Sequence, residues 1–225
     1  IVDIAGLVKG ASKGEGLGNM FLGNIRECNA ILHVLRCFDN PNIVHVDGNI
    51  HPLRDKETVD FELQLKDLES LEKKIDKVRK SAKTGAKEAV REVEMGDRLI
   101  KHLEQGKSVR SFERSEEEQA WIEEYQLLTD KPVLYVCNVD EAAAKDGNDY
   151  VRQIEAMAAE EGAGVMHLAV ATESDIIELD SYEERQMFLD DLGLEEPGVN
   201  RVIRAAYSLL KLSTYFTAGV KEVRA

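Results

Sequence analysis

The chain has 225 residues, 43% of them hydrophobic and 32% charged, with 43 acids against 29 bases and a formal net charge of −14. Those proportions describe a globular chain with a charged surface and exclude disordered, collagen-like and silk-like classes. The acidic excess argues against nonspecific nucleic-acid binding by the surface as a whole, while leaving room for a local basic patch.

No apolar run approaches the roughly twenty residues of a membrane span. No basic stretch followed by an apolar one opens the chain, so neither a span nor a signal peptide is expected. The cysteines, Cys28, Cys37 and Cys137, are widely spaced and fit no disulfide or zinc pattern, which suits a reducing cytoplasm. The histidines are scattered, without an HExxH pair. The chain opens without Met on Ile1-Val2-Asp3-Ile4-Ala5-Gly6 and closes in mid-pattern on Lys221 to Ala225, so it reads as a segment of a longer protein.

In chain order, residues 1–5 read as the end of a strand, and a glycine-dense loop from Gly10 to Gly18 leads into a helix from Met20 to Glu27. The aliphatic run Ala30 to Phe38, stopped by Asp39-Asn40-Pro41, predicts a buried strand. Phe61, Leu65, Leu68, Leu71, Ile75, Val78 and Ala82 recur at steps of three and four, the stripe of a long coiled-coil-like helix. Thr84-Gly85 breaks it. Ala86, Val90, Val93, Ile100 and Leu103 carry a second, looser stripe that Gly106 ends. A third helix is expected from a Ser115 cap to Leu128. An α/β rhythm then resumes, with a strand over 132–137, a helix over 149–161, a strand over 164–171 and a helix over 174–192. Strand, helix, strand at this spacing implies parallel pairing. The fold class is α/β, with a helical block inserted into a parallel-sheet domain.

Two motifs carry chemistry. Asp3-Ile4-Ala5-Gly6 is an apolar strand ending in DxxG, where an Asp can hold a magnesium shell and a Gly amide can meet a terminal phosphate. By itself it is equally a strand and a turn. The glycine-dense loop behind it suits a phosphate-ordered switch and does not fit GxGxxG, because Asn19 stands at the third glycine. Asn138-Val139-Asp140-Glu141 directly follows a strand, at the end where α/β sheets bind ligands. An Asn plus a carboxylate there can read a purine edge; the same residues also make a helix-entry turn. Ala169, Val170 and Ala171, at the end of the next strand, are small enough to let backbone amides approach a base. Cys37 and Cys137 read as core thiols and Cys28 as a more exposed one. His102 reads as surface or packing.

DIAGLVKGASKGEGLGNMFLGNIRE, AILHVLRCF with DNPNIVHVDG, NVDE, and LGLEEPGVNRVIRAAYSLLKLSTYFTAGVKEVRA resemble the YchF-type Obg-like ATPases, P-loop proteins of the translation-factor class. The resemblance covers nearly the whole chain. It implies an incomplete P-loop NTPase G domain at 1–56 and 129–212, a helical coiled-coil insertion at 57–128, and the start of a TGS domain at 213–225. Asp3 then matches a magnesium-shell acid acting through water, and Gly6 a γ-phosphate amide. Leu7 stands where classical GTPases have a water-orienting Gln. Asn138 and Glu141 match the family's NxxE, which replaces NKxD and implies ATP over GTP. Val139, Ala169, Val170 and Ala171 are expected to line the base pocket. The implied cofactor is Mg2+ with ATP. The phosphate-cradling GxxxxGK[ST] loop is missing from these residues, so residues 1–225 alone are expected to be inactive.

From Lys73 to Arg91 eight bases meet two acids around the hairpin tip. A lysine run is usually a solvated helix face. Lys73, Lys74, Lys77, Arg79, Lys80, Lys83 and Lys87 also form a patch suited to RNA phosphates. With the resemblance, the expected partners are ATP and the ribosome or its RNA, not DNA or a membrane. The leading reading is a cytoplasmic, ribosome-associated ATPase in translation or stress control. The alternative is a nonhydrolytic RNA- or ribosome-binding module working through the basic arm.

Overall fold

The computed structural model describes residues 1–4, 17–219 and 223–224. The chain forms two compact units, one of residues 1–31 and 51–132, the other of residues 32–50 and 133–225.

The first unit is helical: α1 (Leu17–Glu27), α2 (Pro52–Ala82), α3 (Lys87–Glu104) and α4 (Glu116–Tyr125), with single 3-10 turns at Val109–Ser111 and Leu128–Asp130. α2 starts where Pro52 sets the first helical φ and the His51 ring accepts from Arg54 N. Its second half follows the expected seam. Leu71 and Ile75 are fully buried against Met95, Leu99 and Leu103 of α3. Gly96 lets the two helices close up, since a Cβ there would lie 2.5 Å from Ile75 Cγ1. Gly85, at φ +84°, turns the chain between them.

The first half of α2 departs from that seam. Phe61 and Leu65 are exposed, and the buried face instead carries Lys56, Asp60, Leu63, Gln64 and Asp67. The reason is length. α3 has 18 residues and α2 has 31, so the front of α2 has no α3 beside it. Leu63 packs with Leu22 and Ile25 of α1 and with Leu128. Asp67, 1% exposed, accepts from Leu128 N at 2.7 Å, Thr129 N at 2.8 Å and Thr129 Oγ1 at 2.7 Å. Burial pushes its carboxyl above the ordinary range, and those donors pull it only part of the way back.

α4 ends earlier than expected. Gln126 adopts the left-handed conformation, φ 53°, which stops the helix at Tyr125. Its start matches expectation, with Ser115 and Glu118 forming a reciprocal capping box.

The second unit holds a three-stranded sheet of β1 (Ile31–Arg36), β2 (Val133–Asn138) and β3 (Gly164–Leu168), in the order β1-β2-β3. β2 and β3 pair in parallel from Leu134↔Gly164 to Asn138↔Leu168. β1 runs the same way, with Ile31 N bonded to Pro132 O at one end and Cys37 N to Asn138 O at the other. Central β2 is buried except at its last residue, whereas β1 at the edge leaves Val34 61% exposed, not fully buried as its composition suggested. α5 (Asp149–Glu161) connects β2 to β3 and buries Val151, Ile154 and Ala158. Beyond β3 come α6 (Val170–Glu178), α7 (Tyr182–Leu192) and α8 (Gly198–Leu209). α8 packs Val202, Ala205 and Leu209 on Leu134, Val136, Met166 and Leu168 of the sheet. A short antiparallel pair, β4 (Thr217–Ala218) with β5 (Val223–Arg224), follows.

Three expectations are corrected. The strand expected over 164–171 ends at Leu168, because its partner β2 ends at Asn138 and the Asn138 side chain takes the Val170 amide. The single helix expected over 174–192 is two, separated where Ser181 makes a new capping box with Glu184. Residues 1–4 form no regular structure, so Asp3 does not end a strand among the described residues.

Replacing Asp67 with Ala strands two buried backbone donors, each costing about 1–3 kcal/mol. D67A is expected to lose about 2–4 kcal/mol in urea unfolding; a loss below about 0.5 kcal/mol, the usual surface value, counts against this role. A second prediction concerns acid. The Ser115 backbone amide, helped by Arg98, holds the Glu118 carboxyl below its ordinary value. A depressed acid stabilises the fold above its unfolded pKa, about 4.3, and that contribution disappears as pH falls through the folded value. In melting curves from pH 7 to pH 3, E118Q should therefore lie below wild type at neutral pH and converge with it in acid. A gap that stays constant across the series contradicts the assignment.

Candidate nucleotide site

Parallel pairing of β2 and β3 places the residues after Asn138 and after Leu168 at the same end of the sheet. Main-chain and side-chain bonds join these two exits. Val139 N donates to Leu168 O at 2.9 Å, and Val170 N donates to Asn138 Oδ1 at 3.2 Å. With Oδ1 so occupied, the Asn138 amide is turned by the protein, and its Nδ2 has no partner among the described residues. Val170 is the first residue of α6, a position whose N–H lacks a helical acceptor.

Asp140 Oδ1 accepts from Ala143 N at 3.1 Å and caps a 3-10 turn over Glu141–Ala143. That bond commits Asp140 to structure. Glu141 is exposed, and its carboxylate has no partner among the described residues. Val139 and Ala169 are buried at 3% and 4%, so neither offers an open wall, while Val170 and Ala171 are exposed at the start of α6. The structure thus brings Asn138, Glu141, Val170 and Ala171 to one end of the sheet. Asp3 is exposed at the start of the other unit. Gly6, Leu7 and the loop residues Gly10 to Gly16 lie outside the described residues.

Two further residues support this end of the sheet and were not singled out from the sequence. Asn148 caps α5 through Val151 N at 3.1 Å and donates Nδ2 to Cys37 O at 2.7 Å, tying the exit of β1 to the crossover helix. Glu173, in α6, takes Gly198 N on both carboxylate oxygens. An Asn one residue before a helix is a readable cap signal; Glu173 has no local signal, because its partner is 25 residues away. Cys37 and Cys137 are core thiols as expected, and the Cys137 thiol together with burial pushes the Cys37 thiol strongly up. Cys28 is half-buried and donates to Asn24 O at 3.3 Å.

The basic cluster divides by partner. Lys73 pairs with Glu69, and Arg79 pairs with Asp97 and, more loosely, with Asp76. Lys74 turns inward over the Tyr125 ring and donates to Tyr125 O at 2.5 Å and Glu124 O at 3.3 Å. Burial, with repulsion from Arg26, pulls its ammonium below the ordinary range. Lys74 is thereby removed from the expected RNA-contact set, because its donors already close the end of α4. Lys77, Lys80, Lys83 and Lys87 are exposed and have no ion pair among the described residues.

No family model matches the chain. Relatives named ribosome-binding ATPase YchF match it closely: 53% identity in Escherichia coli O157:H7 and 54% in Haemophilus influenzae, each over 100% of this chain, and 51% in Bacillus subtilis over 99%. The solved structure of the Schizosaccharomyces pombe YchF GTPase superposes with a TM-score of 0.82 at 33% identity, covering 98% of this chain and 60% of that one. Along its whole length the chain is similar to the YchF proteins. It spans 61% of the length of these curated relatives. The names agree on the family and differ on the nucleotide.

If Asn138 holds the start of α6, N138A should free the Val170 amide. Its hydrogen–deuterium exchange should accelerate by about tenfold, the equivalent of one lost bond, while amides in α3 stay unchanged. Equal exchange at Val170 in both proteins sinks the assignment.

Proposed function

We propose that this chain belongs to an ATP-hydrolysing protein that works on the ribosome, and that Asn138, Glu141 and the first turn of α6 read the adenine. The observation that carries the proposal is the Asn138 Oδ1 to Val170 N bond. It fixes an amide with a spare Nδ2 donor at the end of the sheet that also carries the exposed Val170, Ala171 and Glu141. A purine ring nitrogen accepts from the amide, and an exocyclic amino group donates to the carboxylate. Guanine recognition of the NKxD kind uses a shorter Asp and a Lys. Here Glu141 places its carboxylate one methylene farther out, and the buried Val139 brings no ammonium.

Hydrolysis would proceed by in-line attack of water on the γ-phosphate, where positioning and charge stabilisation do most of the work. Asp3 is an exposed carboxylate. A single hard oxygen ligand suits Mg2+, which keeps most of its water shell, and Asp3 would hold it through water. The ion supplies charge neutralisation at the phosphates. By resemblance Gly6 is assigned to the γ-phosphate, and Leu7 stands where classical GTPases have their water-orienting Gln, so the attacking water would be positioned some other way. The helical block over 57–128 is the inserted arm of a G domain at 1–56 and 129–212, and residues 213–225 open a TGS domain. Among the described residues no helix is long and apolar enough to cross a membrane.

Competition binding on the full-length protein tests the base. ATP should bind more tightly than GTP, and E141A should weaken ATP by about tenfold, the value of a bond to a charged group. GTP binding as tightly as ATP contradicts the proposal.

The alternative, a nonhydrolytic ribosome-binding module, is favoured by one observation: Lys77, Lys80, Lys83 and Lys87 stand exposed, without acid partners among the described residues, in a chain of net charge −14. Their field reaches about 8 Å at physiological salt, enough for a phosphate backbone on close approach. Reversing Lys77, Lys80 and Lys83 to Glu should weaken co-sedimentation with ribosomes and flatten its salt dependence, by a slope of about 0.7–0.9 per lost phosphate contact. Melting temperature should hold, since exposed charge changes cost little. Unchanged association with an unchanged slope returns these lysines to a solvated helix face.

A further inference from the structure

The segment 168–173 is held from two sides. At its front, Val170 N is bound by Asn138. At its back, Glu173 Oε1 and Oε2 each accept from Gly198 N at 2.8 Å. Gly198 is the first residue of α8, where the backbone N–H has no helical acceptor and a carboxylate is favoured by the helix dipole. It is also buried, and a Cβ there would overlap Leu168 Cδ2 and lie 2.6 Å from Glu173 Oε1. Any larger residue at 198 would push the Leu168 and Glu173 side chains aside. Past that point α8 is anchored on the sheet through Val202, Ala205 and Leu209. α8 therefore acts as a fixed post, and the Glu173 carboxylate ties the first turn of α6 to it.

We propose that Glu173 is a positioning residue for base binding. It touches no nucleotide itself; by holding Gly198 N it fixes the height and rotation of α6, so that Val170 and Ala171 meet the purine. This rests on the adenine reading given above. A helix cap with no role in binding would affect stability alone, whereas a positioning residue affects the base and not the phosphates. The two are separable because the phosphates of ATP would be held elsewhere in the protein.

The test uses full-length protein and two probes, ATP–magnesium and tripolyphosphate–magnesium, with affinities measured by calorimetry. E173A should weaken ATP by about tenfold and leave tripolyphosphate within about twofold. E173Q keeps a carbonyl oxygen for Gly198 N and should restore ATP affinity to within about twofold of wild type. G198A, which crowds the carboxylate from the other side, should behave like E173A. If E173A does not fold, E173D, too short to reach Gly198 while keeping its charge, replaces it. ATP affinity within twofold of wild type in E173A, or equal losses for ATP and tripolyphosphate, overturns the proposal. N138A and E141A run alongside. If both leave ATP affinity unchanged, the base lies elsewhere, and the adenine reading falls together with the role of Glu173.

Discussion

Everything at the candidate site depends on two neighbouring parallel strands that end level with each other. β2 stops at Asn138 and β3 at Leu168, paired residues of the same ladder. Two chain exits then stand side by side at the carboxyl end of the sheet, where the ladder no longer supplies partners for the backbone groups that follow. Such a gap must be closed by something, and here Asn138 closes it with its own Oδ1. Asp at 138 would present only acceptors and hold the amide equally well, but it would leave no donor for a ring nitrogen. An aliphatic residue would leave the Val170 N–H without its partner. Asn closes the gap with its one acceptor and keeps its Nδ2 donor to spare.

The helical unit shows the same economy in a different place. A coiled-coil seam requires a partner along its whole length, and α3 reaches only part of α2. Where the partner is absent, the buried face of α2 is polar, and its polar groups are satisfied individually. Asp67 receives three donors from residues 128–129, and Gln64 donates to Gly106 O at 3.1 Å and Ser108 Oγ at 3.2 Å. Buried polar bonds of this kind specify one register, because sliding α2 by a residue would orphan all of them. An apolar seam tolerates such slippage far better.

This contrast explains what could be read from the sequence. Periodicity reports a residue's face, so the Leu71–Ile75 stripe, the 149–161 helix and the buried 133–137 strand were legible. Caps report local chemistry, so Ser115 was legible as a helix start. Neither signal reports a partner distant in sequence. Asp67 with Thr129 and Glu173 with Gly198 are separated by 62 and 25 residues, and each reads locally as one more surface acid. The end of β3 is hidden for the same reason: Val170 and Ala171 continue an apolar run, and the Asn138 side chain that takes the Val170 amide is 32 residues away. Phe61 and Leu65 fit the seam by spacing, and they are exposed because α3 is short.

The charge pattern of the arm has a similar explanation. Counting bases between Lys73 and Arg91 overstates the free charge, since Lys73, Arg79 and Arg91 are paired with acids and Lys74 faces inward. The acids that pair Arg79 and Arg91, Asp97 and Glu117, lie outside the run itself, on α3 and α4. Lys80, Lys83 and Lys87 lie near the Gly85 turn and Lys77 about two helical turns before it, and none of the four has an ion pair among the described residues. The carboxylate nearest the turn on α3 is the exposed Glu88. Pairing with acids on α2, α3 and α4, more than the number of bases in the run, decides which positive charges stay exposed on an otherwise acidic chain.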